Sequence, residues 1–154
     1  MQENLIKFRL PNSVCSQLDN IESRYTIAKE TGKKKFLNSG FYLSELDAND
    51  FDMTETYQFI GDKLKSAGFR ISKDFNLTFI TNWPGQTYIR HTDNVFFVHI
   101  PVITHADCMM IIEDTLYHLE RNCFYILNTK KWHSAFNLSD QPRLHLLLTA
   151  EEIN

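Results

Sequence analysis

Cysteine is scarce and unpatterned in this chain: Cys15, Cys108 and Cys123 are odd in number and far apart, and none sits in a C-x-x-C pair. That argues against a zinc ribbon or a disulfide framework and makes a reducing, cytoplasmic setting the expectation. Glycine and proline are also few, at 5 and 4 residues, so no linker or disordered tract is expected. No stretch reaches the about eighteen consecutive apolar residues of a membrane-spanning helix, and Met1-Gln2-Glu3-Asn4-Leu5-Ile6-Lys7 has neither a long apolar run nor a cleavage signature. Asn76-Leu77-Thr78 and Asn137-Leu138-Ser139 match the glycosylation pattern, which carries no meaning without a secretory signal. An excess of one charge is lacking too. The net charge of −3 offers no general attraction to nucleic acid or to an anionic membrane, so neither is an expected partner.

What the chain does have is apolar mass. Its 154 residues include 12 Phe and 6 Tyr, with aromatics at 13%, enough to fill one core, and residues 1–154 read as a single domain. Residues 1–74 read as a mostly helical scaffold with an N-terminal strand. Leu5 to Leu10 alternates like a strand, after which Pro11 and Asn12 open a helix with Val14, Leu18, Ile21 and Tyr25 at helical spacing. A lysine-rich turn, Gly32-Lys33-Lys34-Lys35, follows. Asp52 and Glu55 are spaced as a capping box for a second helix, whose apolar stripe of Tyr57, Ile60 and Leu64 stops at Gly68.

Residues 75–150 change to short strands separated by turn residues. Phe75 to Asn82, Thr87 to His91, Val95 to Ile103, Cys108 to Ile112, Cys123 to Leu127, Trp132 to Asn137 and Arg143 to Ala150 give about seven, at the spacing of a sandwich or barrel. Asn82-Trp83-Pro84-Gly85 forms a turn between the first two, and Asn, Ser, Asp and Pro between Asn137 and Arg143 make a hairpin of the last two.

The chemistry-bearing residues fall in this second half. His91-Thr92-Asp93 is followed after 40 residues by His133, and after another 10 by Arg143. His-x-Asp can deliver two ligands from one strand, because residues i and i+2 point to the same side. His133 would close the set from a distant strand. Two imidazoles and one carboxylate on one face of a metal, with the other face open, suit non-haem Fe(II). On the last strand Leu144, Leu146 and Leu148 take one face, while Arg143, His145 and Leu147 take the other. If the leucines pack on the body of the protein, Arg143 can reach the metal cavity and hold a carboxylate bidentately. Blander readings stand beside each of these: an exposed polar strand end for His-x-Asp, a solvated edge arginine for Arg143, a satisfied wall residue for His145. Trp132 either walls the pocket or packs, and Lys130 and Lys131 either draw an anionic substrate or form a solvated turn. Asn82 and Tyr88 are secondary candidates for co-substrate contact.

His91-Thr92-Asp93, Val98-His99-Ile100-Pro101, Trp132-His133-Ser134 and Asn137 to Leu146 together resemble the aspartyl/asparaginyl β-hydroxylase-like branch of the 2-oxoglutarate oxygenases, which includes free-proline hydroxylases. The resemblance covers roughly residues 76–150. It implies a mainly β fold with flanking helices, built on a double-stranded β-helix (cupin-like or jelly-roll) barrel with Fe(II) inside, and 2-oxoglutarate and O2 as co-substrates. It also implies that His91 and His133 bind iron, that Asp93 is the third ligand as in the amino-acid hydroxylases, and that Arg143 grips the distal carboxylate of 2-oxoglutarate. His99 falls where the branch has a co-substrate-contacting histidine, and His145, on the same strand face as Arg143, can add a hydrogen bond. Phe97 stands where the epidermal-growth-factor-domain hydroxylases carry an arginine.

The function expected on this basis is hydroxylation of an unactivated C–H bond, with succinate and CO2 as co-products. The substrate class is an amino-acid-like small molecule or an amino-acid side chain, a peptide included. Two other readings remain open: a cupin metalloenzyme that does not use 2-oxoglutarate, and an inactive barrel serving as a binding module. Arg143 speaks against the first, and the intact ligand set against the second.

Overall fold

The computed structural model describes residues 1–31, 35–36, 42–43, 48–74 and 77–154, with the backbone alone at 26–31, 35–36 and 42–43. The lysine-rich turn at Gly32, Lys33 and Lys34, and residues Phe75 and Asn76 at the head of an expected strand, lie outside the described residues. Strand β1 (Leu5–Arg9) leads into helix α1 (Asn12–Thr31), followed by the short strands β2 (Lys35–Phe36) and β3 (Tyr42–Leu43) and a 3₁₀ turn over Ala48–Asp50. Helix α2 (Thr54–Ser66) and strand β4 (Phe69–Ile71) complete the first half. The barrel strands are β5 (Thr78–Asn82), β6 (Phe96–Ile103), β7 (Cys108–Ile112), β8 (Thr115–Tyr117), β9 (Cys123–Leu127), β10 (His133–Asn137) and β11 (Arg143–Glu152).

Both helices bury the stripes that their periodicity marks. Val14, Leu18, Ile21 and Tyr25 of α1 and Ile60 and Leu64 of α2 join one core with the outward faces of the larger sheet. Each such side chain, fully buried, contributes about 1.5–3 kcal/mol. Gly68 ends α2 at φ 83°, the left-handed conformation that glycine adopts at no steric cost. The expected capping box at its start does not form. Met53 takes the N-cap position, Asp52 Oδ1 accepts from Thr54 N at 3.1 Å, and the Glu55 carboxylate is taken by the Ser13 hydroxyl of α1. A tertiary partner has replaced the local one.

Two antiparallel sheets face each other. The larger has eight strands in the order β1-β9-β6-β11-β5-β3-β2, with β4 also paired to β11, and the smaller runs β10-β7-β8. The segment after the Trp83–Gly85 turn lies along β10 and extends the smaller sheet. It pairs through Tyr88 N to Ala135 O at 2.7 Å and through bridges Thr87↔Phe136 and His91↔His133. The strand expected from Thr87 to His91 is therefore present as irregular pairing. Four steps along it face three along β10, which is the one-residue excess of a bulge.

Alternation divides every barrel strand between two environments. Leu144, Leu146 and Leu148 of β11, with Val98 and Ile100 of β6, enter the core beneath the helices. Met110, Ile112, Tyr125, Leu127 and Ala135 form a second apolar cluster between the sheets. From β5 onward the chain passes back and forth between the two sheets around a common lumen, with β7 and β8 a hairpin of the smaller one, which makes the fold the expected double-stranded β-helix, mainly β with flanking helices. Among the described residues no helix is long and apolar enough to cross a membrane.

Candidate metal centre and barrel lumen

His91 and His133 meet because their backbones form one antiparallel pair, closed by His91 N to His133 O at 3.0 Å and His133 N to His91 O at 2.9 Å. Their ring centroids lie 4.2 Å apart. Asp93, two residues beyond His91, turns its carboxylate between them: Oδ1 is 3.5 Å from His91 Nε2 and Oδ2 is 3.2 Å from His133 Nε2. One ligand atom from each of the three residues lies within 4.8 Å of the other two.

The hydrogen bonds behind the rings set the chemistry in front. His91 Nδ1 donates to Ile89 O at 2.7 Å and His133 Nδ1 donates to Lys131 O at 2.9 Å. A carbonyl can only accept, so the Nδ1 atoms carry protons and both Nε2 atoms point to the Asp93 side. Two imidazoles oriented by backbone carbonyls, with one carboxylate between them, form a donor set that suits a divalent first-row metal. Asp93 is itself anchored, its N–H donating to Thr129 O at 2.8 Å. The Thr129 hydroxyl donates to Val95 O at 2.6 Å and accepts from Phe97 N at 3.2 Å, so one buried threonine fixes the turn between the ligand segment and β6. No sequence signal marked Thr129, since its role depends on a contact 36 residues away (129 − 93).

Beyond the triad the lumen becomes polar and closed. The side chains of His91 and Asp93 are about a quarter exposed, His133 is 4% exposed, and Arg143 and His145 are buried at 2% and 1%. Burial lowers the Arg143 pKa from 12.5 to about 10. His99 and His145 touch through their Nδ1 atoms at 3.1 Å. Burial first, and then the nearby Arg143 charge, hold both rings well below the usual histidine range, so both are neutral at pH 7. Asn82 pairs with Arg143 in the β5–β11 register and is 1% exposed. Phe97 sits edge-on to His99 with centroids 6.3 Å apart.

Every expected site residue therefore reaches one lumen, in two groups: His91, Asp93 and His133 near the mouth, and Arg143, His99 and His145 behind. Tyr88 packs edge-on against His91 with centroids 4.3 Å apart. The other neighbours point elsewhere. Trp132 is 51% exposed beneath the Arg90 guanidinium, because its successor His133 takes the inward face. Lys131 donates to Gln2 O and Asn4 Oδ1, and Lys130 lies over the Phe96 ring, so these lysines tie down chain segments.

The fold recurs among solved structures. A prolyl-4-hydroxylase from Pseudomonas putida superposes with a TM-score of 0.68 at 14% identity, covering 99% of this chain and 95% of that one. A viral collagen prolyl hydroxylase from Paramecium bursaria Chlorella virus-1, solved as a 2-oxoglutarate complex, gives 0.66 at 9% identity over 99% and 98%. A prolyl hydroxylase from Trichoplax adhaerens, solved with a hypoxia-inducible-factor peptide fragment, gives 0.65 at 11% identity over 98% and 84%. Identities this low establish the shared fold alone. No curated protein matches the sequence. The family model described as aspartyl/asparaginyl β-hydroxylase matches residues 20–152, which takes in the second part of α1, all of α2 and strands β5 to β11 along with the His-Asp-His cluster and Arg143. The chain belongs to the aspartyl/asparaginyl β-hydroxylase family.

Proposed function

We propose that this protein is an Fe(II)- and 2-oxoglutarate-dependent oxygenase that hydroxylates an unactivated C–H bond of an amino-acid-like small molecule or of an amino-acid side chain. The observation that carries the reading is the convergence of two Nδ1-tethered histidines and Asp93 on one point, with the buried Arg143 farther along the same lumen. Family membership and the barrel shared with structures of hydroxylases support it. When bound, the metal supplies the coupling of O2 to oxidative decarboxylation of 2-oxoglutarate, giving succinate and CO2.

The chain's own residues bind, orient and exclude water. His91 and His133 would present their Nε2 atoms to the metal, and the Asp93 carboxylate would balance part of the cation's charge. Their backbone tethers fix ring direction before any ligand arrives, so little reorganisation accompanies binding. Arg143 offers a two-pronged donor to the distal carboxylate of 2-oxoglutarate, with His99 and His145 beside it. The apolar cluster of Met110, Ile112 and Ala135 keeps this end of the lumen dry, which strengthens each charge-assisted hydrogen bond. The partly exposed His91 and Asp93 leave the mouth to the substrate.

The test is anaerobic loading with Fe(II) and 2-oxoglutarate, followed by admission of O2 and a screen for succinate release over free amino acids and short peptides. Release that rises with one substrate class, in proportion to hydroxylated product, is the expected result. Absence of both 2-oxoglutarate binding and succinate release would refute the assignment.

A further inference from the structure

Behind the metal cluster the lumen holds polar groups that the protein itself does not satisfy. Among the described residues, both amide atoms of the Asn82 side chain and Nε2 of His145 are buried without a hydrogen-bond partner. Orphaned polar atoms at such depth are rare in folded proteins because they have lost water and gained nothing. Two of them, Asn82 Nδ2 and His145 Nε2, can donate, and on one inner wall next to a buried guanidinium they point to a ligand that accepts.

Their placement is set by the sheet. Asn82 on β5 and Arg143 on β11 are direct cross-strand partners, so their side chains leave the same face of the sheet side by side. His145 follows Arg143 by two residues on that face. The Asn82 backbone is pinned, since its carbonyl accepts from Asn137 Nδ2 at 2.9 Å, while the Asn137 side chain is fully engaged by its own turn. The surrounding wall offers the Asn82 amide nothing. Ile80, its neighbour on the inner face of β5, packs on the apolar cluster, and the Tyr125 hydroxyl is occupied by Glu120 N at 2.8 Å.

We propose that Asn82 and His145 join Arg143 in a three-sided seat for the far carboxylate of a five-carbon 2-oxo diacid, with Asn82 as a specificity-determining residue for that co-substrate. This rests on the 2-oxoglutarate reading given above. A carboxylate accepts through about four lone-pair directions, and the seat supplies the guanidinium fork, the Asn82 Nδ2–H group and one imidazole N–H. The histidine pair fixes that last donor. One proton lies between His99 Nδ1 and His145 Nδ1, and donation to a carboxylate from His145 Nε2 requires that His99 supply it. His99 thus acts as a positioning residue that selects the His145 tautomer.

The experiment compares calorimetric binding of 2-oxoglutarate and of 2-oxopentanoate, which lacks the far carboxylate, to the anaerobic Fe(II)-loaded protein. Wild type should prefer 2-oxoglutarate strongly. Asn82→Leu and His145→Leu should each weaken 2-oxoglutarate at least about tenfold, the range for a hydrogen bond to a charged group, and leave 2-oxopentanoate unchanged. His145→Gln, which keeps a side-chain N–H, should retain part of the preference. Asn82→Leu also removes two orphaned atoms at nearly constant volume, so the ligand-free variant should melt at or above the wild-type temperature while its 2-oxoglutarate-induced stabilisation shrinks. A merely structural asparagine would do the reverse. The proposal is overturned if Asn82→Leu binds 2-oxoglutarate like wild type, if both ligands weaken equally, or if the variant melts lower. If wild type fails to distinguish the two ligands, the 2-oxoglutarate reading falls and this inference with it. If wild type distinguishes them and Asn82→Leu does too, only the inference falls.

Discussion

Replacing Arg143 by leucine should separate the two halves of the lumen. The guanidinium is 2% exposed, and burial brings its pKa from 12.5 down to about 10. At about 1.4 kcal/mol per tenfold, that corresponds to a penalty on the order of 3 kcal/mol for keeping the charge in the barrel. A carboxylate placed beside it relieves the penalty, and removing one partner of a buried ion pair commonly costs about 3–5 kcal/mol. Both figures point the same way. Arg143→Leu should weaken 2-oxoglutarate binding by roughly a hundredfold or more. Iron affinity should hardly change, because the substitution leaves His91, Asp93 and His133 and the backbone tethers of the two rings in place. Arg143→Lys should recover only part of the loss, since lysine keeps the charge but loses the planar fork. Calorimetric titration of 2-oxoglutarate into the anaerobic Fe(II) protein reads the affinity directly, and parallel titration of the metal reads the control. Wild-type 2-oxoglutarate affinity in Arg143→Leu would show that the buried charge has another purpose and would favour a cupin chemistry without this co-substrate.

Three further outcomes are expected. His133→Ala should abolish succinate release while leaving the circular dichroism spectrum and cooperative melting in place, because the β10 backbone pairing does not need the ring; wild-type turnover in this variant would remove His133 from the site. Asp93→Ala should weaken iron binding and nearly stop turnover even at saturating iron, since it removes an anionic ligand together with its charge; steady-state kinetics with activity largely preserved would instead show that two histidines suffice. Stability should fall as pH drops below about 6.5, because the unfolded chain protonates His99 and His145 there while the buried rings stay neutral. The unfolded state then binds up to two more protons, for a limiting slope of roughly 2.7 kcal/mol per pH unit. Urea unfolding of metal-free protein across that range should show the slope, with about half of it missing in His145→Leu, and identical slopes in the two proteins would refute the assignment.

Much of the β-helix was legible because alternation is a local property. Cys108–Ile112 and Cys123–Leu127 appear at the bounds that their composition marks, and the leucine face of β11 packs inward on the helical core as its pattern requires. The short strands β2, β3, β4 and β8 were not foreseen. Two or three residues carry too little period to register, and such strands exist because a neighbouring edge offers them hydrogen bonds. The capping box failed for a related reason: Ser13, distant in sequence, competes for Glu55.

The sequence by itself determined the kinds of donor available and which of them share a strand face: His91 with Asp93, and Arg143 with His145 opposite the leucines. Residue type and a period of two decide both, without reference to any partner strand. Only the tertiary structure decided who meets whom. The His91–His133 bridge, the Thr129 anchor under Asp93, the Nδ1 tethers that aim the imidazoles, and the position of Asn82 beside Arg143 all follow from strand register across the two sheets. Register is fixed by burying the helices' apolar stripes and closing the barrel together, a cooperative property of the whole chain that no local pattern records.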